Sequence, residues 1–279
     1  MDKLVTYFEV LKWASSFLEN NGKESYIAEY LILEYHEWCK TDLLLNLKAE
    51  MPVSEKHRLK KDLEKVVTNY PPQYLIGSCE FYGERFLVSE ATLIPRPETE
   101  ELVDLCLREN TNKPQIVVDI GTGSGVIALS LKKHRQNWQV RAVDLSLDAL
   151  EIAKKNAVKL EEEIHFFYGS TLEPIDEEQI DIIISNPPYI SDKEWDVMDE
   201  SVRNFEPKLA LFADNDGLAI YEKIAKEAVF KLSKTGKIYL EIGYKQGDAI
   251  QQMYQHYFPN KKVRLVKDIA GQDRIIIVS

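Results

Sequence analysis

Asn186-Pro187-Pro188-Tyr189 is the stretch whose residue types and order are best suited to chemistry. It comes directly after Ile180-Asp181-Ile182-Ile183-Ile184-Ser185, an apolar run that reads as a buried strand. Prolines cannot donate to a sheet ladder, so the strand must stop there and the backbone must turn outward. The turn then presents an amide, carbonyls with no competing N–H, and an aromatic ring. The Asn186 side-chain oxygen and the Pro187 carbonyl can accept both N–H bonds of a planar amide or amino group. Pro188 completes the turn, and Tyr189 can stack on the planar group. An amide nitrogen is a poor nucleophile because its lone pair is delocalised. Aligning it with an electrophile can contribute about 7–11 kcal/mol. The same acceptors stabilise charge as it develops on nitrogen. No general base is required during such a transfer, and the proton can leave afterward. Asn186, Pro187 and Tyr189 are therefore the candidate catalytic residues, and all four residues are candidate substrate contacts.

A second constellation lies upstream. Ile116-Val117-Val118-Asp119-Ile120 reads as a strand, followed by Gly121-Thr122-Gly123-Ser124-Gly125 and a helix from Val126. A glycine turn between strand and helix lets a ligand approach the backbone and meet the helix N-terminus. The dinucleotide fingerprint G-x-G-x-x-G would need glycine at 126, where the chain has valine. The loop is G-x-G-x-G instead, preceded by Asp119, and Asp144 ends the next strand where a ribose diol would need an acceptor. Acids near both ends of this crevice suit a ligand with hydroxyls and positive charge, and they suit a pyrophosphate poorly. S-adenosylmethionine, with its sulfonium, α-ammonium and ribose, fits that description, and with the N-P-P-Y motif it is favoured over a nicotinamide cofactor. Asp119, Gly121 to Gly125, Asp144 and Asn186 are the candidate cofactor contacts.

The elements that must position these residues can be read from periodicity. Residues 3–69 read as helical, with Leu4, Phe8, Leu11 and Phe17 at helical spacings and Tyr26, Tyr30, Leu33 and Glu37 in a second segment. Thr41-Asp42 precedes a short apolar turn, and Pro52-Val53-Ser54-Glu55 looks like a helix entry to a stripe of Leu59, Leu63, Val66 and Val67. Pro71-Pro72 ends this helical domain, expected over 1–72. A linker hairpin is expected over 73–95, from glycines at its edges and aromatic alternation. Between prolines, Arg96 and Glu98 are held firmly for surface charges; they are rigid linker residues or line the substrate site. A further domain is expected over 96–279; from Gln115 its strands alternate with helices, which implies a parallel sheet covered on both faces. Further strands are expected over Gln139–Val143, Ile164–Tyr168, Asp181–Ser185 and Lys237–Ile242. Helices are expected over Leu147–Leu160 and Leu218–Leu232, with a terminal hairpin around Gly271.

Composition narrows the function classes. Apolar residues make up 44% and charged residues 29%, values that place the chain among globular proteins able to bury a full core. Cys39, Cys79 and Cys106 form no C-x-x-C pair and have no adjacent His cluster, so reduced, mostly packed thiols and no metal are expected. The start lacks a basic segment followed by an apolar one, and no run approaches the about 18 apolar residues of a membrane span. A cytoplasmic monomer is expected. The net charge of −11 argues against a broad grip on a phosphate backbone.

The same residues carry a family likeness. The chain resembles the release-factor glutamine methyltransferases, the PrmC/HemK family, over almost its whole length. The likeness runs through PPQYLIG at 71–77, FYGERFLV at 81–88, LIPRPETEELV at 93–103 and VVDIGTGSGVIALSL at 117–131. It continues in AVDLS at 142–146, SNPPYI at 185–190, EPKLALF at 206–212, EIGYKQG at 241–247 and KDIAGQDRIIIV at 267–278. N-P-P-Y alone is shared with DNA N-methyltransferases, whereas IPRPETE and the terminal KDxAGxDR are much more specific. The resemblance implies a helical domain that docks a peptide-chain release factor. It also implies a class I S-adenosylmethionine-dependent methyltransferase domain, a Rossmann-like α/β fold with a seven-strand sheet whose last strand is antiparallel. The implied substrate is the glutamine of the release factor's Gly-Gly-Gln loop, methylated on N5 with S-adenosylhomocysteine as product. After the third strand such enzymes often carry an acid, or an aromatic soon after, against adenine; here Ser170 and Thr171 occupy that place. A ribosomal-protein glutamine methyltransferase shares the catalytic motif. A nucleic-acid adenine methyltransferase and a non-catalytic assembly factor are further alternatives, which the acidic balance and the intact motifs respectively oppose.

Overall fold

The computed structural model describes residues 5–176 and 179–279, so the Leu4 position expected in the first helix lies outside the described residues. The chain parts into two compact units. The described residues up to Gly77, with Asp199–Phe205, form one; Ser78–Met198 and Glu206–Ser279 form the other.

The first unit is helical: α1 (Tyr7–Asn20), α2 (Tyr26–His36), α3 (Lys40–Asn46), α4 (Val53–Val67) and α5 (Pro72–Ile76). A capping box starts α1: the Thr6 hydroxyl accepts from the Glu9 N–H, and the Glu9 carboxylate accepts from the Thr6 N–H. The face it buries is Tyr7, Val10, Ala14 and Leu18, against Ala28, Leu31 and Ile32 of α2 and Leu59, Leu63 and Val66 of α4. This corrects the expected stripes. Phe8 and Tyr26 are exposed, because the small Ala14 and Ala28 let the helices approach on a face the large residues do not mark. The α4 stripe appears as read, apart from Val67 at its margin. Pro72 does not end the helical part; it starts α5, where a missing N–H costs nothing, and Gly77 closes that helix in the left-handed conformation. The linker hairpin expected over 73–95 is thus divided, with α5 in the helical unit and the hairpin itself in the second. Residues 199–205 also belong to the helical unit, through Asn69 Nδ2 donating to Glu200 at 2.7 Å and the edge-on rings of Tyr70 and Phe205.

The second unit opens with the hairpin β1 (Ser78–Phe81) and β2 (Glu84–Leu87), then α6 (Pro97–Glu109). Alternation begins there: β3 (Ile116–Ile120), α7 (Val126–His134), β4 (Gln139–Asp144), α8 (Leu147–Leu160), β5 (His165–Tyr168) and β6 (Ile180–Ser185). After a long connection come α9 (Ala219–Lys231), β7 (Leu232–Glu241), α10 (Gly247–Tyr257), β8 (Val263–Lys267) and β9 (Asp273–Val278). The seven-stranded sheet has the order β5-β4-β3-β6-β7-β9-β8. β3 to β7 pair in parallel, and the chain's last strand, β9, runs antiparallel between β7 and β8. Successive strand residues face opposite layers. Val117, Ile182 and Tyr239 pack under α6 and α7, while Val118, Ile183 and Ile238 pack under α9 and α10. The register pairs Ile120 with both Val143 and Ser185. The carboxyl ends of β3, β4 and β6 therefore finish together, and the loops that leave these three strands share one crevice, as expected of an open parallel sheet.

Candidate active site

A cavity in the second unit opens at these strand ends. Its walls include Gly121 and Gly123 after β3, Asp144 to Ser146 after β4, Ser170 after β5, and Asn186 to Pro188 after β6. Apolar residues from two other stretches complete it, chiefly Leu93, Leu209 and Phe212.

The glycine loop is closed by its own chain. The Gly121 and Thr122 N–H groups both donate to the Val143 carbonyl, and Gly123 N–H donates to Asp144 Oδ2 at 2.8 Å. Asp144 Oδ1 accepts from Ser146 N–H at 2.8 Å, so this acid ties the loop to the entry of α8 while facing the cavity. Burial raises its carboxyl above the usual range. Asp119 is fully buried, and its Oδ2 accepts from the Thr122 hydroxyl and from Ala128 N–H in the first turn of α7. A carboxylate of the protein thus holds the helix N-terminus, the place where a dinucleotide would set its pyrophosphate. Asp119 Oδ1 is buried with no hydrogen-bond partner among the described residues. Asp144 at the cavity wall fits a ligand bearing hydroxyl donors, and with Asp119 already at the start of α7 the helix N-terminus is not left for a pyrophosphate.

Burial pushes both Asp119 and Glu241 up to about 7. Each then holds a proton in the folded chain that it has lost in the unfolded chain between about pH 4 and pH 7. Folding stability from these two groups is present at the acid end of that window and falls as pH rises. Asp119→Asn is expected to remove its share: the melting temperature of the variant relative to wild type should rise steadily from pH 5 to pH 7.5, measured by calorimetry without ligand.

Behind the acceptor turn lies a buried relay. Asn186 Nδ2 donates to the Thr99 hydroxyl oxygen at 3.0 Å, and that hydroxyl donates to Glu241 Oε2 at 2.7 Å. The direction of the chain assigns the amide: nitrogen to Thr99, oxygen Oδ1 as its acceptor. The Tyr189 ring is packed beside Gly243, and its carbonyl accepts from Gln246 Nε2 at 3.0 Å. Burial raises the Tyr189 hydroxyl to about 12, so it stays protonated. The same Gln246 nitrogen donates to the Asp216 carbonyl, on a turn where Asn215, Asp216 and Gly217 all have positive φ.

Comparison with known proteins decides what this crevice belongs to. A release factor glutamine methyltransferase of Enterococcus faecalis is 54% identical over 97% of this chain and 98% of its own. That of Bacillus subtilis is 40% identical over 97% of this chain and 96% of its own. The chain belongs to the release factor glutamine methyltransferase family. Two family models agree with that membership: "PrmC N-terminal domain" matches residues 9–77 and "Methyltransferase small domain" matches 99–209. A solved methyltransferase from Pyrococcus furiosus, 17% identical, superposes with a TM-score of 0.55 over 81% of this chain and 97% of its own, which shows the fold.

Within this member of the glutamine methyltransferase family, the residues singled out in the sequence do not all meet. Gly121, Gly123, Asp144, Ser170, Asn186, Pro187 and Pro188 line one cavity. Asp119, Thr122 and Ser124 lie buried behind the loop and shape it. Gly125 is needed for packing: a Cβ there would meet Leu129 Cδ1 at 3.0 Å and the Ala153 Cβ at 3.2 Å, with φ at +85°. Gly125→Ala is expected to lower stability by about 1–3 kcal/mol, read as a lower melting temperature. Thr171 turns away, its buried hydroxyl bound to Glu173 and Glu227 at 2.8–2.9 Å. Arg96 is ion-paired with the buried Glu206, which also accepts from Ile94 N–H. Arg96 and Glu98 are absent from the cavity walls, so Arg96 braces the stretch bearing Leu93 instead. The terminal motif acts similarly: Arg274 binds Asp268 at 3.0 Å and the Ile242 carbonyl at 3.3 Å, fixing the backbone just past Glu241. Thr99, Glu241 and Glu206 are the residues that reading the chain misses. Their partners are 87 to 142 positions away, and no local pattern links them.

Proposed function

We propose that this protein methylates the side-chain amide N5 of the glutamine in the Gly-Gly-Gln loop of peptide-chain release factors, in the cytoplasm. The observation that carries the reading is the Asn186 amide. With Nδ2 bound to Thr99, its oxygen is the atom left to accept from a planar N–H group, and Asn186 and Pro187 both line the cavity. S-adenosylmethionine, when bound, supplies an electrophilic methyl group and leaves as S-adenosylhomocysteine. Asp144 is suited to accept from its ribose, Asp119 to hold the shape of the glycine loop from behind, and Ser170 to meet its adenine edge. Asn186 and Pro187 would hold both N–H bonds of the substrate amide and so aim its lone pair. As nitrogen becomes positive, the same two oxygens stabilise it. The proton lost afterward needs no base in contact with nitrogen.

The match of residues 9–77 to the N-terminal family model supports a docking role for the helical unit. Among the described residues no helix is long and apolar enough to cross a membrane. The test offers purified release factor, a ribosomal protein and DNA in parallel to the enzyme with S-adenosylmethionine, read by mass spectrometry. A gain of one methyl on the Gly-Gly-Gln glutamine is expected. Methyl transfer to either of the others, with none to release factor, would overturn the reading.

A further inference from the structure

The acceptor amide of a substrate is recognised only if Asn186 presents oxygen to it. A carboxamide is nearly symmetric in shape, and rotation by a half turn about its last bond exchanges acceptor for donor. With nitrogen toward the cavity, Asn186 would face the N–H bonds of the substrate with N–H bonds of its own. Something must therefore choose the rotamer. Packing cannot, because oxygen and NH2 differ little in size; hydrogen bonding can.

We propose that Thr99 and Glu241 are positioning residues that set the rotamer of Asn186, so that the ionisation state of Glu241 decides which atom meets the acceptor amide. Three facts support this. First, the three side chains form one directional chain, Asn186 Nδ2 to Thr99 Oγ1 to Glu241 Oε2, at 3.0 and 2.7 Å. A carboxylate only accepts, so Thr99 must give its one proton to Glu241 and offer its lone pair to Asn186. Second, Thr99 and Glu241 are 3% and 2% exposed, so solvent does not supply alternative partners. Third, the backbone is fixed at the middle and the far end. The Glu241 carbonyl accepts from the Tyr221 hydroxyl at 2.7 Å, and Thr99 sits in the first turn of α6 next to the Arg96–Glu206 pair.

Protonating Glu241 reverses the chain. Its new O–H can donate to Thr99, the Thr99 hydroxyl turns to donate to Asn186, and the amide must rotate to bring Oδ1 inward. Nδ2 then faces the cavity. The groups that bear on this proton come from four directions. Burial raises the carboxyl and Glu98 adds to the rise, while the Thr99 bond, Arg274 and Arg96 lower it. Tyr189 and Tyr221 face it as neutral hydroxyls. The sum places the change near neutral pH, so the active rotamer is held on the alkaline side and lost as pH falls.

The inference rests on the proposed acceptor, and the experiment separates the two. In the wild-type enzyme, kcat for release factor should fall toward the acid side, approaching about tenfold per pH unit. Thr99→Val keeps the shape and removes the relay: kcat at pH 8 should drop roughly three- to tenfold, the value of one hydrogen bond. KM for S-adenosylmethionine should stay put and the acid limb should vanish. Thr99→Ser should restore both. Glu241→Gln, which can accept or donate, should also abolish the limb, and it serves if Thr99→Val does not fold. A substrate-free reading uses the 15N–1H signals of the Asn186 carboxamide, assigned by their loss in Asn186→Ala. In wild type they should shift with pH as Glu241 titrates, and in Thr99→Val they should not. An acid limb retained in Thr99→Val, or carboxamide signals indifferent to pH, would overturn the relay. No methyl transfer to release factor by wild type, with the carboxamide still titrating, would overturn the acceptor reading and leave the relay standing.

Discussion

Asn186→Ala should reduce methyl transfer to release factor by at least about 10²–10³-fold, while S-adenosylmethionine still binds measurably. The magnitude is that of deleting one preorganised group aimed at developing charge in a dry site. On the proposed reading the group is Oδ1, one of two acceptors for the substrate N–H bonds. Removing it leaves Pro187 alone to hold a group that must be planar, oriented and in line. On the proposed reading most of the cofactor's contacts come from other walls, Gly121, Gly123, Asp144 and Ser170, which lie outside the Asn186–Thr99–Glu241 relay. The truncation strands no buried charge: Thr99 loses a donor and keeps its bond to Glu241. The fold should therefore survive with a melting temperature within a few degrees of wild type. Single-turnover rates and equilibrium binding by calorimetry check the split. Full activity would remove the amide clamp from the mechanism, and loss of cofactor binding equal to loss of rate would leave Asn186 a cofactor contact alone.

The turn after β6 is legible in the sequence because its parts are adjacent. A buried strand followed by two prolines can only turn, and the residue before the prolines must sit at the strand end. The fold is legible for a related reason: each buried strand is a continuous apolar run, and each helix between them is long enough to show its stripe. The periodicity places the helix Leu147–Leu160 residue for residue, and the strands to within a residue or two except β7. That strand reaches back to Leu232, which pairs with Ile180, but Ser233 to Gly236 bulge out before Lys237 pairs with Ile182, so regular pairing starts at the expected residue. Misreadings arise where small residues decide packing. Ala14 and Ala28 mark the helix contact in the first unit, and the large neighbours Phe8 and Tyr26 point outward. The position of Thr171 after β5 suggests the site, but Glu227 on α9 draws its hydroxyl away. Arg96 stands out as unusually fixed; what fixes it is Glu206, 110 residues on. Long-range partners of this kind leave no periodic trace, and they are what hold the site.

Gly217 carries the largest expected effect of this hidden kind. By residue type alone, Asp214-Asn215-Asp216-Gly217 is an ordinary polar turn. In the structure the φ of Gly217 is +82°, and a Cβ would lie 2.1 Å from the Tyr189 carbonyl oxygen and 2.6 Å from Gln246 Nε2. Both neighbours are fixed: the nitrogen bridges the Tyr189 and Asp216 carbonyls, while Gln246 Oε1 accepts from Gly243 N–H at 3.0 Å. Neither can retreat without breaking the bridge. Gly217→Ala should cost about 3 kcal/mol or more, from overpacking together with left-handed strain. In a chain of this size that is a fall of roughly 6–12 °C in melting temperature. Activity should fall further than stability explains. The displaced atom is the carbonyl of the last residue of the acceptor turn, and a shift near 1 Å at reacting groups can cost about 10²-fold in rate. Measured well below the melting transition, where the variant is fully folded, kcat should drop about 10²-fold with cofactor affinity within a few-fold of wild type. Gln246→Ala offers the complementary case. It removes the contact with Nε2 and, by deleting the bridge, frees the Tyr189 carbonyl to move from the new Cβ, so the double variant with Gly217→Ala should be more stable than the sum of the single effects predicts. Additive losses would mean that the two residues support the acceptor turn independently.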